Sequence, residues 1–215
     1  MIKLYKFRPL ETDNDYYRLK SILETGHFWC SNFNEQNDPM EWVFLSSGDS
    51  ESIKQVFSEK MKYKICSFSG TVGFKNPAMW CYYANSFKWV AIEIEVDESN
   101  VDKIIYTDEI TENWDAREIL KRKSKARKQE DEFRYFRESD KNLHKIGNIT
   151  AIYFWDPYHK ISNRRDVTES NKNIKKYEEL RSKIIKWLEN NHQDNMSVEK
   201  FKVFVNRGSI ESKEI

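Results

Sequence analysis

Hydrophobic and polar residues alternate along several stretches of the chain, and this spacing predicts the strands. Residues 2–8 alternate until Pro9 ends the run, and residues 90–96 alternate more regularly still, so both stretches are predicted strands. The same reasoning predicts shorter strands at 27–31, 65–69, 133–137, 149–155 and 201–205. Strands therefore occur from the start of the sequence almost to its end.

Apolar residues at helical spacing predict the helices. The first runs from Tyr16 to Leu23, after a polar group suited to capping, and Gly26 stands where a left-handed cap ends a helix. Further helices are predicted at 40–45, 53–61, 79–84, 114–128 and 177–188. Helices and strands mix without regular β-α-β alternation, which predicts an α+β fold with a mixed, mostly antiparallel sheet and flanking helices. No linker divides residues 1–215, so one domain is expected.

Composition and charge narrow the class of protein. A net charge of +1 provides no overall attraction to nucleic acid or membrane, so any such attraction must come from a local patch. Cys30, Cys66 and Cys81 are odd in number and form no C-x-x-C pair, which predicts neither a disulfide framework nor a thiolate zinc site. The chain lacks a signal-peptide pattern and a membrane-spanning run, so a cytoplasmic protein without membrane contact is expected.

An acidic segment, Glu130-Asp131-Glu132, follows a basic run and precedes an aromatic strand. On a strand, Glu132 shares a face with Arg134, and Glu130 falls on the same side. Two carboxylates held together in a cleft push their pKa values apart, which suits one to remain ionised while the other handles protons. The alternative is that these charges form a solvated surface.

Common catalytic signatures are missing from the sequence. It contains no phosphate-binding glycine motif, no H-E-x-x-H and no G-x-S-x-G, and its four histidines lie far apart, so no metal site is predicted. An aromatic cluster remains as candidate chemistry. Its residues are suited either to stack on a nicotinamide or base or to fill the core, and they are Trp80, Tyr82, Tyr83 and Trp89.

Several short motifs together resemble an uncharacterised bacterial family, the one numbered 2971 among the domains of unknown function. The resemblance covers about residues 4–137, and the strand-helix-strand that follows would complete the domain. Its motifs are Phe28-Trp29-Cys30-Ser31, Phe33-Asn34, Asn37-Asp38-Pro39-Met40-Glu41, Cys66-Ser67-Phe68-Ser69, Met79-Trp80-Cys81-Tyr82-Tyr83-Ala84 and Glu130-Asp131-Glu132-Phe133-Arg134. The family carries no assigned activity.

More distantly, the chain resembles the ADP-ribosyltransferase fold of the arginine-serine-glutamate type. Arg8 on the first strand matches the arginine, Ser67-Phe68-Ser69 matches the serine strand, and Glu130-Asp131-Glu132 matches the paired glutamates. Phenylalanine replaces the usual threonine in the serine motif, and the region after it is unusually aromatic.

The resemblance implies roles for these residues in cleaving NAD, which would be a substrate and not a resident cofactor. Glu132 would stabilise the positive charge that develops on the ribose, and Glu130 would accept a proton from the acceptor nucleophile or orient it. Arg8 would grip a phosphate or ribose, while Ser67, and secondarily Ser69, would hold the carboxylate or ribose in place. The aromatic residues Tyr82 and Tyr83 would line the nicotinamide pocket.

The sequence thus favours an NAD-dependent ADP-ribosyltransferase that modifies a protein or nucleic acid. The resemblance also suggests a toxin or phage-defence effector, with an antitoxin or regulatory partner. Two alternatives stay open: a non-catalytic binding module of the same fold, and a nucleic-acid processing protein. The basic residues between Lys121 and Lys128 are either a footprint for an acidic partner or a solvated helix face.

Overall fold

The structure is a computed structural model that describes residues 1–36, 50–82, 88–110, 115–156, 171–191 and 198–215. Its strands are β1 (Ile2–Pro9), β2 (His27–Trp29), β3 (Tyr63–Ser69), β4 (Trp89–Val96), β5 (Asp102–Lys103), β6 (Ile105–Tyr106), β7 (Arg122–Lys123), β8 (Glu132–Glu138), β9 (Leu143–Lys145), β10 (Asn148–Trp155), β11 (Glu199–Asn206) and β12 (Ser209–Glu214). Its α-helices are α1 (Asp13–Thr25), α2 (Ser50–Lys62), α3 (Thr71–Phe74), α4 (Pro77–Tyr82), α5 (Ala116–Leu120) and α6 (Lys172–Asn190). Short 3-10 helices include Phe33–Glu35 and Lys125–Glu130.

The main sheet has eight strands in the order β12-β11-β10-β4-β1-β3-β8-β5. All neighbouring strands are antiparallel except β10 and β11, which are parallel and are joined through α6. Two-stranded sheets pair β2 with β9 and β6 with β7. The prediction of an α+β fold with a mostly antiparallel sheet is therefore confirmed.

Helices pack on both faces of the main sheet. Buried apolar residues of α1 and α6 cover one face, where Leu19 and Leu180 join Ile92 in a common core. The opposite face packs Tyr5 against Phe74 of α3 and an adjoining aromatic group. None of the helices in the described ranges is both long and apolar enough to cross a membrane.

Local signals explain the elements that the sequence predicted well. Thr12 and Asp15 form a reciprocal capping box at the start of α1, and Gly26 ends that helix with a φ of 68°. The alternating apolar residues of β4 all pack into one core, which is why its pattern was so regular, and they are Val90, Ile92, Ile94 and Val96. The predicted helix at 40–45 and the Asn37-Asp38-Pro39 segment lie outside the described residues.

The predicted helix at 114–128 is wrong within its described part. The helix α5 ends at Leu120, β7 follows, and a 3-10 helix then occupies Lys125–Glu130. The reason is that Lys123 turns into the protein and is only 5% exposed. A continuous solvated helix cannot bury that side chain, so ion pairing overrides local helix propensity.

Candidate active site

The acidic segment is held in place by a turn that packs against the loop after β3. Asp131 adopts a left-handed backbone conformation with a φ of 45°, which separates the 3-10 helix from β8. Its carbonyl oxygen accepts a 2.7 Å hydrogen bond from the Gly70 amide, and its carboxylate accepts from the Val72 amide at 3.1 Å. These bonds fix the residues on either side of Asp131.

Two glycines make this close approach feasible. A Cβ atom added to Gly73 would lie 2.3 Å from the Glu130 carbonyl oxygen, and one added to Gly70 would lie 2.3 Å from the Asp131 carboxylate. A side chain at either position would push the acidic segment away from the loop. The backbone placement of Glu130 therefore depends on both glycines.

Glu130 and Glu132 meet at a shared buried cation, Lys123. The Lys123 ammonium donates to one oxygen of each carboxylate at 2.6 Å. All three side chains are at least 94% buried. The alternative of a solvated charged surface is thereby wrong for this pair, and Lys123 offsets the repulsion expected between the two acids.

Two arginines complete the ion network. Arg134 donates through Nε to the second oxygen of Glu132 at 2.6 Å and through Nη1 to the Leu120 carbonyl at 2.6 Å. Arg127 lies 2.9 Å from the second oxygen of Glu130, and 37% of its side chain remains exposed. The network thus extends from the buried Arg134 to a partly open cation.

This network fixes the charge of Glu132. Burial alone would raise the pKa of its carboxyl, but Arg134 and Lys123 outweigh burial and lower the pKa to about 2. Burial likewise disfavours the charged form of Lys123, yet the two glutamates raise its pKa above the usual value. Glu132 is therefore an ionised carboxylate with a fixed orientation at neutral pH.

A small cavity of about 180 Å³ opens beside these glutamates. We call it the glutamate pocket, and its lining includes Glu130, Glu132, Lys123, Ser67 and Ser69. Strand pairing brings the serines there, because Ser69 lies directly across from Glu132 and Ser67 across from Arg134. The buried Ser67 hydroxyl makes no hydrogen bond within the described structure, so it does not bond to Glu132 and is available to a ligand.

Family models, curated proteins and solved structures gave no match to this chain. The geometry of the glutamate pocket therefore carries the functional argument. Within the described ranges, no group of three or more His, Cys, Asp or Glu side chains is placed to hold a metal ion.

Arg8 lies apart from the other predicted site residues. Tyr5 pairs with Ser69, and Ser69 pairs with Glu132, so these three side chains share one face of the sheet. Arg8 is three residues beyond Tyr5 and therefore faces the opposite side, where it lines a separate, larger cavity. The expectation that Arg8 joins Ser67 and Glu132 in one cleft is corrected by this register.

Of the predicted aromatic residues, Trp80 lies in the core, Trp89 is partly buried at the start of β4, and Tyr82 and Tyr83 fall on undescribed positions. Trp80 is fully buried, stacks on Trp155 and donates its indole N–H to the Phe74 carbonyl at 2.8 Å. It is a core residue. The side chain of Tyr82, at the end of α4, and all of Tyr83 lie outside the described residues.

Sequence reasoning missed three cations at the glutamate pocket: Lys123, Arg127 and Lys6. Lys6 lines the pocket and donates to the Ser67 carbonyl at 2.6 Å, and burial lowers the pKa of its ammonium. The available signal for Lys123 and Arg127 was their position just before an acidic pair. That signal was read as a basic helix face, because single-sequence periodicity does not show which charged residues become buried.

Proposed function

We propose that the glutamate pocket cleaves NAD and that the protein is an ADP-ribosyltransferase-like enzyme acting on a macromolecular acceptor. The observation that supports this most is the convergence of a fixed, ionised Glu132 with Glu130, Ser67 and Ser69 in one cavity. Cleavage of the bond between nicotinamide and ribose builds positive charge on the sugar. A carboxylate held in place before the reaction stabilises that charge without reorganising.

The contacts support separate roles for the two glutamates. Glu132 is held by Arg134 and Lys123, so its orientation is rigid, which suits electrostatic stabilisation of the ribosyl cation. Glu130 is held by Lys123 and by the more open Arg127, which places it nearer the solvent side of the network. In this proposal Glu130 accepts a proton from the acceptor nucleophile or orients that nucleophile.

Arg127 takes the phosphate-binding role in this proposal in place of Arg8. It lines the glutamate pocket and keeps part of its guanidinium side chain exposed, whereas Arg8 lies on the other face of the sheet. A guanidinium binds phosphate oxygens through two parallel hydrogen bonds. The cavity is smaller than the roughly 300 to 1,000 Å³ of common ligand sites, so it suits the nicotinamide and ribose, with the phosphates outside near Arg127.

The decisive experiment measures nicotinamide release from NAD by the purified protein. We expect release by the wild type and a loss on the order of a hundredfold in Glu132→Gln, because the substitution removes the charge that stabilises the ribosyl cation. Glu138→Gln is the matched control, since it lies on the same strand and is exposed. Melting curves recorded for each variant identify loss of activity that comes from unfolding.

A companion variant separates cleavage from transfer. Glu130→Gln leaves Glu132 in place, so slow hydrolysis of NAD by water should persist while label transferred to protein or nucleic acid falls. Equal activity in the wild type and both glutamate variants would end the enzymatic proposal.

One observation favours the alternative of a non-catalytic binding module. Each Glu132 oxygen already accepts a hydrogen bond from a buried cation, so the network is satisfied internally and serves a structural role without any substrate. A folded wild-type protein that binds NAD, seen as a raised melting temperature, but releases no nicotinamide would support this alternative.

A further inference from the structure

A second cavity, of about 1,060 Å³, shares no lining residue with the glutamate pocket. It is bounded by the end of β1, by α1 and by the two-stranded sheet of β2 and β9. We call it the arginine groove and define it by Arg8, Arg18, Lys141, Tyr17 and Trp29. The proposed NAD chemistry does not use these residues.

Positive charge in the arginine groove has little internal compensation. Arg8 and Arg18 form no ion pair within the described structure, and the buried Nε of Arg8 lacks a hydrogen-bond partner there. Among the described residues that line the groove, Asp15 supplies the only carboxylate. That carboxylate already caps α1, accepting from the Thr12 amide at 2.9 Å and the Thr12 hydroxyl at 2.8 Å. An unpaired buried donor beside a second guanidinium indicates a place for an anion.

The surroundings of Arg8 also favour a bound anion. Burial lowers the pKa of its guanidinium, the neighbouring Cys66 acts in the opposite direction, and the like charge of Arg18 again lowers it. An anion bound between the two arginines would relieve this repulsion and would satisfy the Arg8 donor.

Exposed flat side chains stand beside these cations. Trp29 is 55% exposed and Tyr17 is 66% exposed, although residues of this size usually bury more of their surface. Leu143 pairs directly with Trp29 across β2 and β9 and is also exposed, so the two form one apolar surface. An aromatic surface next to guanidinium groups is the combination that binds bases and phosphates together.

We propose that the arginine groove binds single-stranded nucleic acid, with bases stacked on Trp29 and Tyr17 and phosphates bound by Arg8, Arg18 and Lys141. At about 1,060 Å³ the groove stands at the upper limit of the roughly 300 to 1,000 Å³ of common small-ligand sites, which leaves room for more than one nucleotide. Stacking on exposed aromatics requires unpaired bases, which favours a single strand over a duplex. This inference is independent of the proposed NAD activity, because the two cavities share no lining residue.

The test is fluorescence anisotropy with a labelled single-stranded RNA decamer of mixed sequence, titrated at several salt concentrations. We expect Trp29→Ala to weaken binding about fivefold or more, because it removes a stacking surface. Arg18→Ala should flatten the slope of log affinity against log salt by about 0.7, as expected for one lost phosphate contact on a single strand. Both side chains are exposed, and melting curves check that the variants fold.

Lys186→Ala provides the matched control, because Lys186 is an exposed cation on α6 outside the groove. It should leave the affinity within the error of the wild type. No binding, binding independent of salt, or equal weakening by all three variants would overturn the proposal. A duplex of the same sequence, or uridine monophosphate, that binds as tightly as the decamer would also overturn it. Intact RNA binding in a protein without nicotinamide release would leave this proposal standing and reject only the enzymatic one.

Discussion

The glutamate pocket and the arginine groove are both lined by several charged side chains, but these side chains are paired in different ways. In the pocket, Lys123, Glu130 and Glu132 are almost fully buried and joined by 2.6 Å hydrogen bonds. In the groove, Arg8 and Arg18 make no ion pair within the described residues. The charged groups of the pocket thus pair with one another, whereas the arginines of the groove remain available to an anion.

This difference bears on what each site contributes to folding. A buried ion network holds its members rigidly, and removing one member leaves the others buried without a partner. A buried donor without a partner instead costs stability in the free protein, and a ligand recovers that cost. Removing a charged side chain should therefore lower the free energy of unfolding at the pocket and raise it at the groove.

The largest effect is expected from Lys123→Ala. It leaves two carboxylates buried side by side, so the free energy of unfolding should fall by roughly 3 to 5 kcal/mol in urea titrations. Lys125→Ala is the control, since its exposed side chain lies two residues away and should change stability by at most about 0.5 kcal/mol. Similar small losses in both variants would show that the network contributes little to folding.

A smaller effect on the free energy of unfolding is expected when the pH is lowered. The pKa of Glu132 falls from 4.5 to about 2 on folding, so its contribution is present above pH 4.5 and disappears as the pH falls toward 2. The shift corresponds to about 3 kcal/mol at most. The stability difference between the wild type and Glu132→Gln should therefore shrink across that pH range, and a difference that stays constant from pH 6 to pH 2.5 would contradict the assignment.

The smallest effect, of opposite sign, is expected in the groove. Arg8→Met keeps a long apolar stem and removes the unpaired Nε donor, so the free protein should gain about 1 kcal/mol. Arg18→Met, on an exposed side chain, should be near neutral in thermal unfolding. A large loss of stability in Arg8→Met would mean that this guanidinium contributes to the fold and does not await a ligand.

Much of the fold could be predicted because its elements carry local signals. The capping box and Gly26 of α1, the alternation of β4 and the apolar stripe of α6 all lie within one short window. β12 was missed because its side chains are mostly exposed and give no buried face to detect. The 3-10 helix before Glu130 was missed because burial of Lys123 depends on carboxylates seven and nine residues away.

The candidate site was predictable only in part, for a different reason. Spacing alone placed Glu132 with Arg134, because both lie on one strand. Arg8 was misplaced because its face relative to Glu132 depends on the Tyr5–Ser69 register between strands far apart in sequence. A shift of one residue in that register would have reversed the outcome, and single-sequence patterns do not fix it.

The junction between β1 and β3 has a mechanical consequence. These strands share only the Tyr5–Ser69 pair, whereas β1 and β4 pair along their whole length. The main sheet thus consists of a five-strand part and a three-strand part that meet at a narrow seam. The Lys6 ammonium donates a hydrogen bond across this seam to the Ser67 carbonyl. Parts of a sheet joined so narrowly can unfold as separate cooperative units, which amide hydrogen exchange detects. Since residues from both sides of the seam line the glutamate pocket, a molecule bound there would contact both parts of the sheet and hold them together.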